Sequence, residues 1–207
     1  IIACAGRFSA HFIPRAEANA ADLQIILNPI VSGWGLIRKN LVRNETGTII
    51  FLISLFWFMG SAYFTLIPIY GKELLDATAA NVSLLTLALA IGVGIGSVIC
   101  EKVSRETIDL GLVSIAIILI SIVSIEVYSL GESISITQQC NTFPFLFTQC
   151  FDRFFVDMIV LGVAGALYVI PLYAALQNRI NRTHRARTMA ALNIMNAFFM
   201  VVSSMFT

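Results

Sequence analysis

Charged residues are scarce in this sequence. Only 12% of its 207 residues are Asp, Glu, Lys or Arg, whereas soluble domains carry roughly 25%. Hydrophobic residues make up 58% of the chain, and its net charge is +1. The composition excludes an ordinary water-soluble surface, and the balanced charge argues against nucleic acid as a partner.

Signatures of catalysis are missing as well. The two histidines, His11 and His184, do not belong to any cluster with metal-ligand spacing, and no Cys-x-x-Cys pair occurs. The GVGIG run at 92–96 lies inside an apolar segment, whereas a phosphate-binding loop joins a strand to a helix. We therefore predict that the chain is not an enzyme and that it binds no metal or cofactor.

Long apolar runs are what the sequence has in abundance. A helix needs about 20 apolar residues to cross a membrane. Five segments meet this requirement: 49–70, 81–100, 108–128, 154–176 and 188–206. We predict an all-α membrane protein with its transmembrane bundle at 49–207. The shorter apolar segment 1–13 is interpreted as the tail of a further span that starts outside this chain.

Basic residues alternate between the predicted loops. The loops at 14–48, 101–107 and 177–187 contain ten Lys and Arg, whereas those at 71–80 and 129–153 contain two. Because cytoplasmic loops of membrane proteins are enriched in Lys and Arg, the first set is predicted to be cytoplasmic.

The most basic short loop reads QNRINRTHRART, at 177–188. Its arginines are Arg179, Arg182, Arg185 and Arg187. One interpretation is that they only anchor the topology. The other is that they also receive a phosphate group at the cytoplasmic face.

Two further loops contain recognisable features. In the central cytoplasmic loop 14–48, Asn28 and Pro29 are suited to begin a helix, and Trp34 lies on its apolar stripe. This helix is predicted to lie in the membrane interface or to pack as a linker beneath the bundle. Cys140 and Cys150 share the predicted outer loop, where they either form a disulfide or remain free thiols.

Small residues recur at intervals of four in two spans. One span contains Ala88, Gly92 and Gly96, and the other contains Gly162 and Ala166. Small residues at this spacing allow helix backbones to approach closely. We therefore predict tight helix packing through these two faces, of a kind that suits a protein whose halves rock.

Four polar residues interrupt the apolar spans, where such residues are costly and usually face a bundle interior or a cavity. Glu126 and Asp157 lie near the outer ends of their spans. They either act as interfacial carboxylates, which reach water or pair with Arg153, or line a substrate path. Asn193 and Asn196 lie on adjacent turns of the last span. They either hydrogen-bond to another helix or line the same path.

The cytoplasmic segment GSVICEKVSRETIDLG, at 96–111, resembles the loop motif of the major facilitator superfamily. The motif positions are occupied by Ser97, Glu101, Lys102, Ser104 and Arg105. The resemblance implies a conformational gating role. Acids and bases beside helix ends can form charge pairs in one conformer and break them in another.

Three segments resemble a narrower group, the bacterial lysophospholipid transporters. These segments are 12–25, 94–113 and 171–203. The resemblance implies a major facilitator fold, here the end of span six and spans seven to eleven, mostly the C-terminal six-helix bundle. It also implies the bacterial inner membrane as location and membrane lipids as surroundings.

The same resemblance implies a function. Such transporters flip lysophospholipids, for example lysophosphatidylethanolamine, inward for re-acylation. They are often encoded beside, or fused to, a 2-acylglycerophosphoethanolamine acyltransferase or acyl-ACP synthetase. The alternatives are a proton-coupled facilitator for another small amphiphile or drug, and the membrane part of a bifunctional acyltransferase fusion.

Overall fold

The computed structural model describes residues 2–12, 44–73, 77–104, 110–137, 150–180 and 185–207. Every element in this part of the chain is an α-helix. The helices are α1 (Ile2–Ala10), α2 (Asn44–Glu73), α3 (Ala79–Ser104), α4 (Gly111–Thr137), α5 (Cys150–Arg179) and α6 (Arg185–Ser203).

Several predictions concern positions outside the described residues. They are the interfacial helix of loop 14–48, Arg105, Arg182 and Cys140. Cys150 begins α5, but its side chain is also outside the described part. The disulfide therefore stays a prediction.

Among the described residues, five helices are long and apolar enough to cross a membrane, as the sequence predicted. The candidate spans are Thr46–Glu73, Ala79–Ser104, Gly111–Glu132, Phe151–Arg179 and Arg185–Ser203. Their bounds differ from the predicted apolar segments by a few residues. Hydropathy marks the apolar part of a helix, whereas backbone hydrogen bonding continues into polar flanks. The coarse prediction of an all-α membrane protein agrees with this architecture.

Residues 1–13, predicted to be the tail of a span, include the short helix α1. Residues 6–12, which include the end of this helix, are exposed. Phe8 and Phe12 meet edge to face with ring centroids 5.3 Å apart. That α1 is the end of a longer span stays a prediction.

Contacts between helices show that α2, α4 and α6 run parallel. Ser54 of α2 bonds Asn196 of α6, and the carbonyl of Phe58 accepts from Ser203. The residue numbers rise in the same direction along both helices, so α2 and α6 are parallel. Hydrogen bonds from Tyr63 to Ser124 and from Tyr70 to the Val127 carbonyl give α4 this direction too.

Helices α3 and α5 run in the opposite direction. The hydroxyl of Tyr168 reaches the carbonyl of Leu52, while Tyr70 stacks on Phe154. The numbering rises along α2 as it falls along α5, so these two helices are antiparallel. Where α3 and α5 pack side by side, Gly92 meets Gly162 and Gly96 meets Ala166. The numbering rises along both helices together, so α3 and α5 are parallel. The helices thus alternate in direction, as consecutive membrane spans must.

This alternation separates the charges at the two ends of the bundle. We call the end with the N-termini of α2, α4 and α6 the basic end. Its described bases are Lys102, Arg179, Arg185 and Arg187. The opposite, acidic end has only Lys72 and Arg153 as described bases. Its described acids are Glu73, Glu126, Glu132, Asp152 and Asp157. By the enrichment of bases in cytoplasmic loops, the basic end is predicted to be cytoplasmic.

Helix α5 lies at the centre of the bundle. In its most apolar stretch 61% of the residues are buried, against 22–28% in the other four candidate spans. It packs most extensively on α3, and also on α4 and α2. Helix α6 packs mainly on α2. A residue on α5 can therefore contact several helices at once.

The interface between α3 and α5 is built from the predicted small residues. A β-carbon on Gly92 would lie 3.0 Å from the Cα of Gly162. One on Gly96 would lie 2.6 Å from the carbonyl oxygen of Val163 and 2.8 Å from the Cβ of Ala166. These distances leave no room for a side chain, so the two backbones touch. The predicted close packing through these residues is present.

Candidate functional site

A hydrogen-bonded polar network joins α2, α5 and α6 inside the bundle. The Ser54 hydroxyl donates to Oδ1 of Asn196 at 2.9 Å. Nδ2 of Asn196 donates to the Tyr173 hydroxyl at 3.5 Å, and Nε1 of Trp57 donates to the same hydroxyl at 3.4 Å. Ser54 is 0% exposed and Asn196 is 6% exposed. We call these four residues the polar network.

Helical geometry brings the network together. Ser54 and Trp57 are three residues apart on α2, so they share one face of that helix. This face meets α6 and α5, from which Asn196 and Tyr173 project. Buried polar groups require hydrogen-bond partners, and each member finds one on a different helix. The network therefore holds three helices in register.

The two predicted asparagines have different surroundings. Asn196 is buried and bonds to α2 and α5, which matches the helix-to-helix interpretation. Asn193 is exposed. Three residues of an α-helix turn through about 300°, so neighbours on adjacent turns are offset enough for one to enter an interface while the other does not.

A charged cluster lies at the acidic end, between α4 and α5. Nε of Arg153 donates to Oε1 of Glu126 at 2.7 Å, and its Nη2 also contacts this oxygen in an ion pair. Asp157 follows Arg153 by one turn on α5. Its Oδ2 atom is buried and has no hydrogen-bond partner among the described residues. The cluster thus contains one paired carboxylate and one with an unused acceptor.

A cavity of about 350 Å³ lies between α3 and α5 near the basic end. Three of the predicted gating residues, Ser97, Glu101 and Ser104, line it together with Cys100. The opposite wall is formed by Ile170, Pro171 and Ala174. Of the remaining motif residues, Lys102 is exposed and Arg105 is outside the described part. The gating role stays a prediction, but most of the motif borders one space.

The arginines of the 177–188 loop have different environments. Nη2 of Arg185 donates to the backbone carbonyl of Gln177 at 3.2 Å. This carbonyl is in the last turn of α5, where carbonyls lack helical partners and cations are favoured. Arg187 is exposed, and Arg179 makes a contact of its own. Arg185 therefore has a structural role, and phosphate binding by the loop stays a prediction.

These features are spread along the central helix. Asp157 and Arg179 are 22 residues apart on α5, which corresponds to about 33 Å at 1.5 Å per residue. This span is about the thickness of the hydrocarbon core of a bilayer. Tyr173 lies between them, closer to the basic end. Helix α5 thus connects the carboxylates at the acidic end of the bundle with the guanidinium groups at the basic end.

Polar residues that the hydropathy analysis passed over complete the site. Ser54, Trp57 and Tyr173 were not predicted, because each is an ordinary residue among apolar neighbours. Across the described residues, no group of three or more His, Cys, Asp or Glu is placed to hold a metal.

Comparisons of the chain with protein-family models, curated proteins and solved structures gave no match. The similarity to the major facilitator superfamily rests on the segments quoted above. The function proposed next rests on these segments together with the contacts of the site.

Proposed function

We propose that the chain is part of a major facilitator transporter that flips lysophospholipids, such as lysophosphatidylethanolamine, across the bacterial inner membrane for re-acylation. The proposal is supported by the resemblance of three segments to lysophospholipid transporters. It is also supported by five helices that could cross a membrane.

The distribution of charge between the two ends of the bundle is the observation that carries the proposal. A lysophosphatidylethanolamine head group contains an ammonium and a phosphate. The carboxylates of Glu126 and Asp157 suit the ammonium at the acidic end, and the exposed Arg187 suits the phosphate at the basic end. Between these ends the half-buried members of the polar network, Trp57 and Tyr173, offer polar contacts to a head group that crosses hydrocarbon. The single acyl chain needs no such shelter and can stay among lipids.

Alternating access requires one part of the bundle to move as a unit. The α3–α5 pair is suited to this, because its backbones touch and leave no space for independent motion. The cavity beside Glu101 and Pro171 lies within this pair and places three residues of the gating motif at its basic end. Charge pairs made by the gating motif would then stabilise one conformer over the other.

Uptake of labelled lysophosphatidylethanolamine tests the proposal. The full-length gene is expressed in cells that lack their own lysophospholipid importer, and label is followed into re-acylated phospholipid. Gene-dependent uptake that resists a proton uncoupler is expected. Absence of uptake from cells with the protein in the membrane would refute the proposal.

The second candidate is a proton-coupled facilitator for another small amphiphile. The buried Oδ2 of Asp157, which has no hydrogen-bond partner in the described part of the chain, favours it, because proton carriers use carboxylates inside the membrane. Uptake that collapses with an uncoupler, and in Asp157→Asn but not in Asp152→Asn, would select this candidate. Asp152 is a suitable control because it lies on the same helix and is exposed.

A further inference from the structure

The hydroxyl group of Tyr173 has an unusual set of hydrogen bonds. A tyrosine hydroxyl can donate one proton and accept two hydrogen bonds. Trp57 Nε1 can only donate, so its contact at 3.4 Å occupies one acceptor position. Nδ2 of Asn196, at 3.5 Å, occupies the second.

The Asn196 amide lies with its oxygen toward Ser54 and its nitrogen toward Tyr173. Oδ1 accepts the hydroxyl proton of Ser54 at 2.9 Å. The amide nitrogen therefore points toward Tyr173 and presents a proton to it. With both acceptor positions occupied by N–H groups, the Tyr173 hydroxyl must direct its own proton elsewhere.

No described residue accepts that proton, and this distinguishes Tyr173 from the other tyrosines of α2 and α5. Tyr168 donates to the carbonyl of Leu52, and Tyr70 donates to that of Val127. Tyr63 shares a hydrogen bond with Ser124 at 2.5 Å. Tyr173 is half-buried rather than fully enclosed.

We propose that Tyr173 donates a hydrogen bond to an oxygen atom of the transported head group, on its way to the basic end. This inference rests on the proposed function. Tyr173 precedes Arg179 by six residues on α5, or about 9 Å. A head-group oxygen bound at Tyr173 is therefore separated from the level of Arg179 by less than two helical turns.

The position selects between the two parts of a zwitterion. The N–H groups of Trp57 and Asn196 occupy the acceptor positions of the Tyr173 oxygen, so this hydroxyl can only donate to a ligand. An ammonium group is donor-only, so it finds no acceptor there. Phosphate and ester oxygens are acceptors, and a charged acceptor strengthens the bond. Tyr173 thus distinguishes the phosphate side of the head group from the ammonium side.

Substitution of Tyr173 by Phe tests the inference with a close control. Tyr173→Phe keeps the ring and removes the donor. Tyr168→Phe, on the same helix, also removes one hydroxyl, but that proton is already committed to Leu52. In full-length protein at matched membrane levels, Tyr173→Phe is expected to lower uptake of lysophosphatidylethanolamine at subsaturating concentration by about tenfold or more. Tyr168→Phe is expected to stay within about twofold of wild type.

Ser54→Ala provides an independent test through the amide. Without the Ser54 donor, the amide can turn so that Oδ1 accepts the Tyr173 proton. The same fall in uptake is expected, although Ser54 is 0% exposed and cannot touch a substrate. Thermal unfolding of each purified variant shows that the protein is folded.

The outcomes separate the two proposals. Wild type that does not take up the lipid overturns the proposed function and this inference with it. Wild type that transports, with folded Tyr173→Phe transporting equally well, overturns the role of Tyr173 alone. Equal losses in Tyr173→Phe and Tyr168→Phe also overturn it, because the effect would then be that of losing any buried hydroxyl.

Discussion

Replacing Gly92 by Ala tests the close packing of α3 on α5. The added methyl group would contact the carbonyl of Ile159, with its carbon atom at 2.9 Å, and the Cα of Gly162 at 3.0 Å. All of these are backbone atoms, so no side-chain rotation can relieve the overlap. The two helices must separate or shift, and contacts along the interface are lost.

The expected cost is that of overpacking, about 1–3 kcal/mol of unfolding free energy. Alanine also favours a helix over glycine by up to about 1 kcal/mol, which opposes the loss. Gly94→Ala separates the two effects. It has the same propensity gain, but nothing lies within 4 Å of a β-carbon at Gly94. The difference between the variants is therefore expected to equal the overpacking cost.

Denaturation by SDS in mixed micelles measures this difference on the full-length protein. Gly92→Ala is expected to unfold at lower SDS than wild type, and Gly94→Ala at the same or higher SDS. Equal stability of the two alanine variants, or a less stable Gly94→Ala, would show that the backbones of α3 and α5 are not in contact in the folded protein.

Three other predictions follow from the contacts. In a double-mutant cycle, Ser54→Ala and Asn196→Ala should show a coupling of about 0.6 kcal/mol in SDS unfolding, as for other hydrogen bonds between membrane helices; additive effects would contradict the bond. Asp157→Asn should raise the unfolding free energy by about 1 kcal/mol, because a buried carboxylate oxygen without a partner among the described residues is costly. Uptake by this variant should fall. A variant that unfolds more easily than wild type would contradict the expected gain in stability. In a variant whose four native cysteines are replaced by Ser, a membrane-impermeant thiol reagent should label Lys72→Cys in intact cells and Asn178→Cys only in inside-out vesicles; the opposite pattern would invert the topology.

The spans were predictable because they depend on local sequence. A run of about 20 apolar residues is costly in water and stable in lipid whatever its neighbours are, so the five segments could be located without a fold. Their ends were less predictable. Helix α4 was expected from residue 108, but the described helix begins at Gly111, because the hydropathy window does not detect where hydrogen bonding starts.

The small-residue faces were predictable, but their pairing was not. Spacing by four places Gly92 and Gly96 on one face of α3 and indicates a close neighbour. It does not say which helix that neighbour is. Gly162 and Ala166 lie about 70 residues later in the chain, and only the packed bundle shows that the two faces meet.

The candidate site was predictable only where polarity was costly. Glu126, Asp157 and Asn196 are conspicuous within apolar spans, whereas Ser54, Trp57 and Tyr173 are not. Ser54 and Asn196 are separated by 142 positions in the chain. Their hydrogen bond depends on how the two helices are rotated and shifted relative to each other, and the sequence of a single segment does not determine either quantity.

The sequence by itself determined that the protein is helical and apolar enough for a membrane. It also determined that five apolar segments could cross the membrane and that basic residues are concentrated in every second loop. Each of these is a property of one segment and the solvent around it. Only the tertiary structure decided that Glu126 pairs with Arg153, that Asn196 is buried while Asn193 is exposed, and that the Tyr173 proton has no partner among the described residues. Those are properties of pairs of helices, because a hydrogen bond needs two groups at a defined distance and only packing sets that distance.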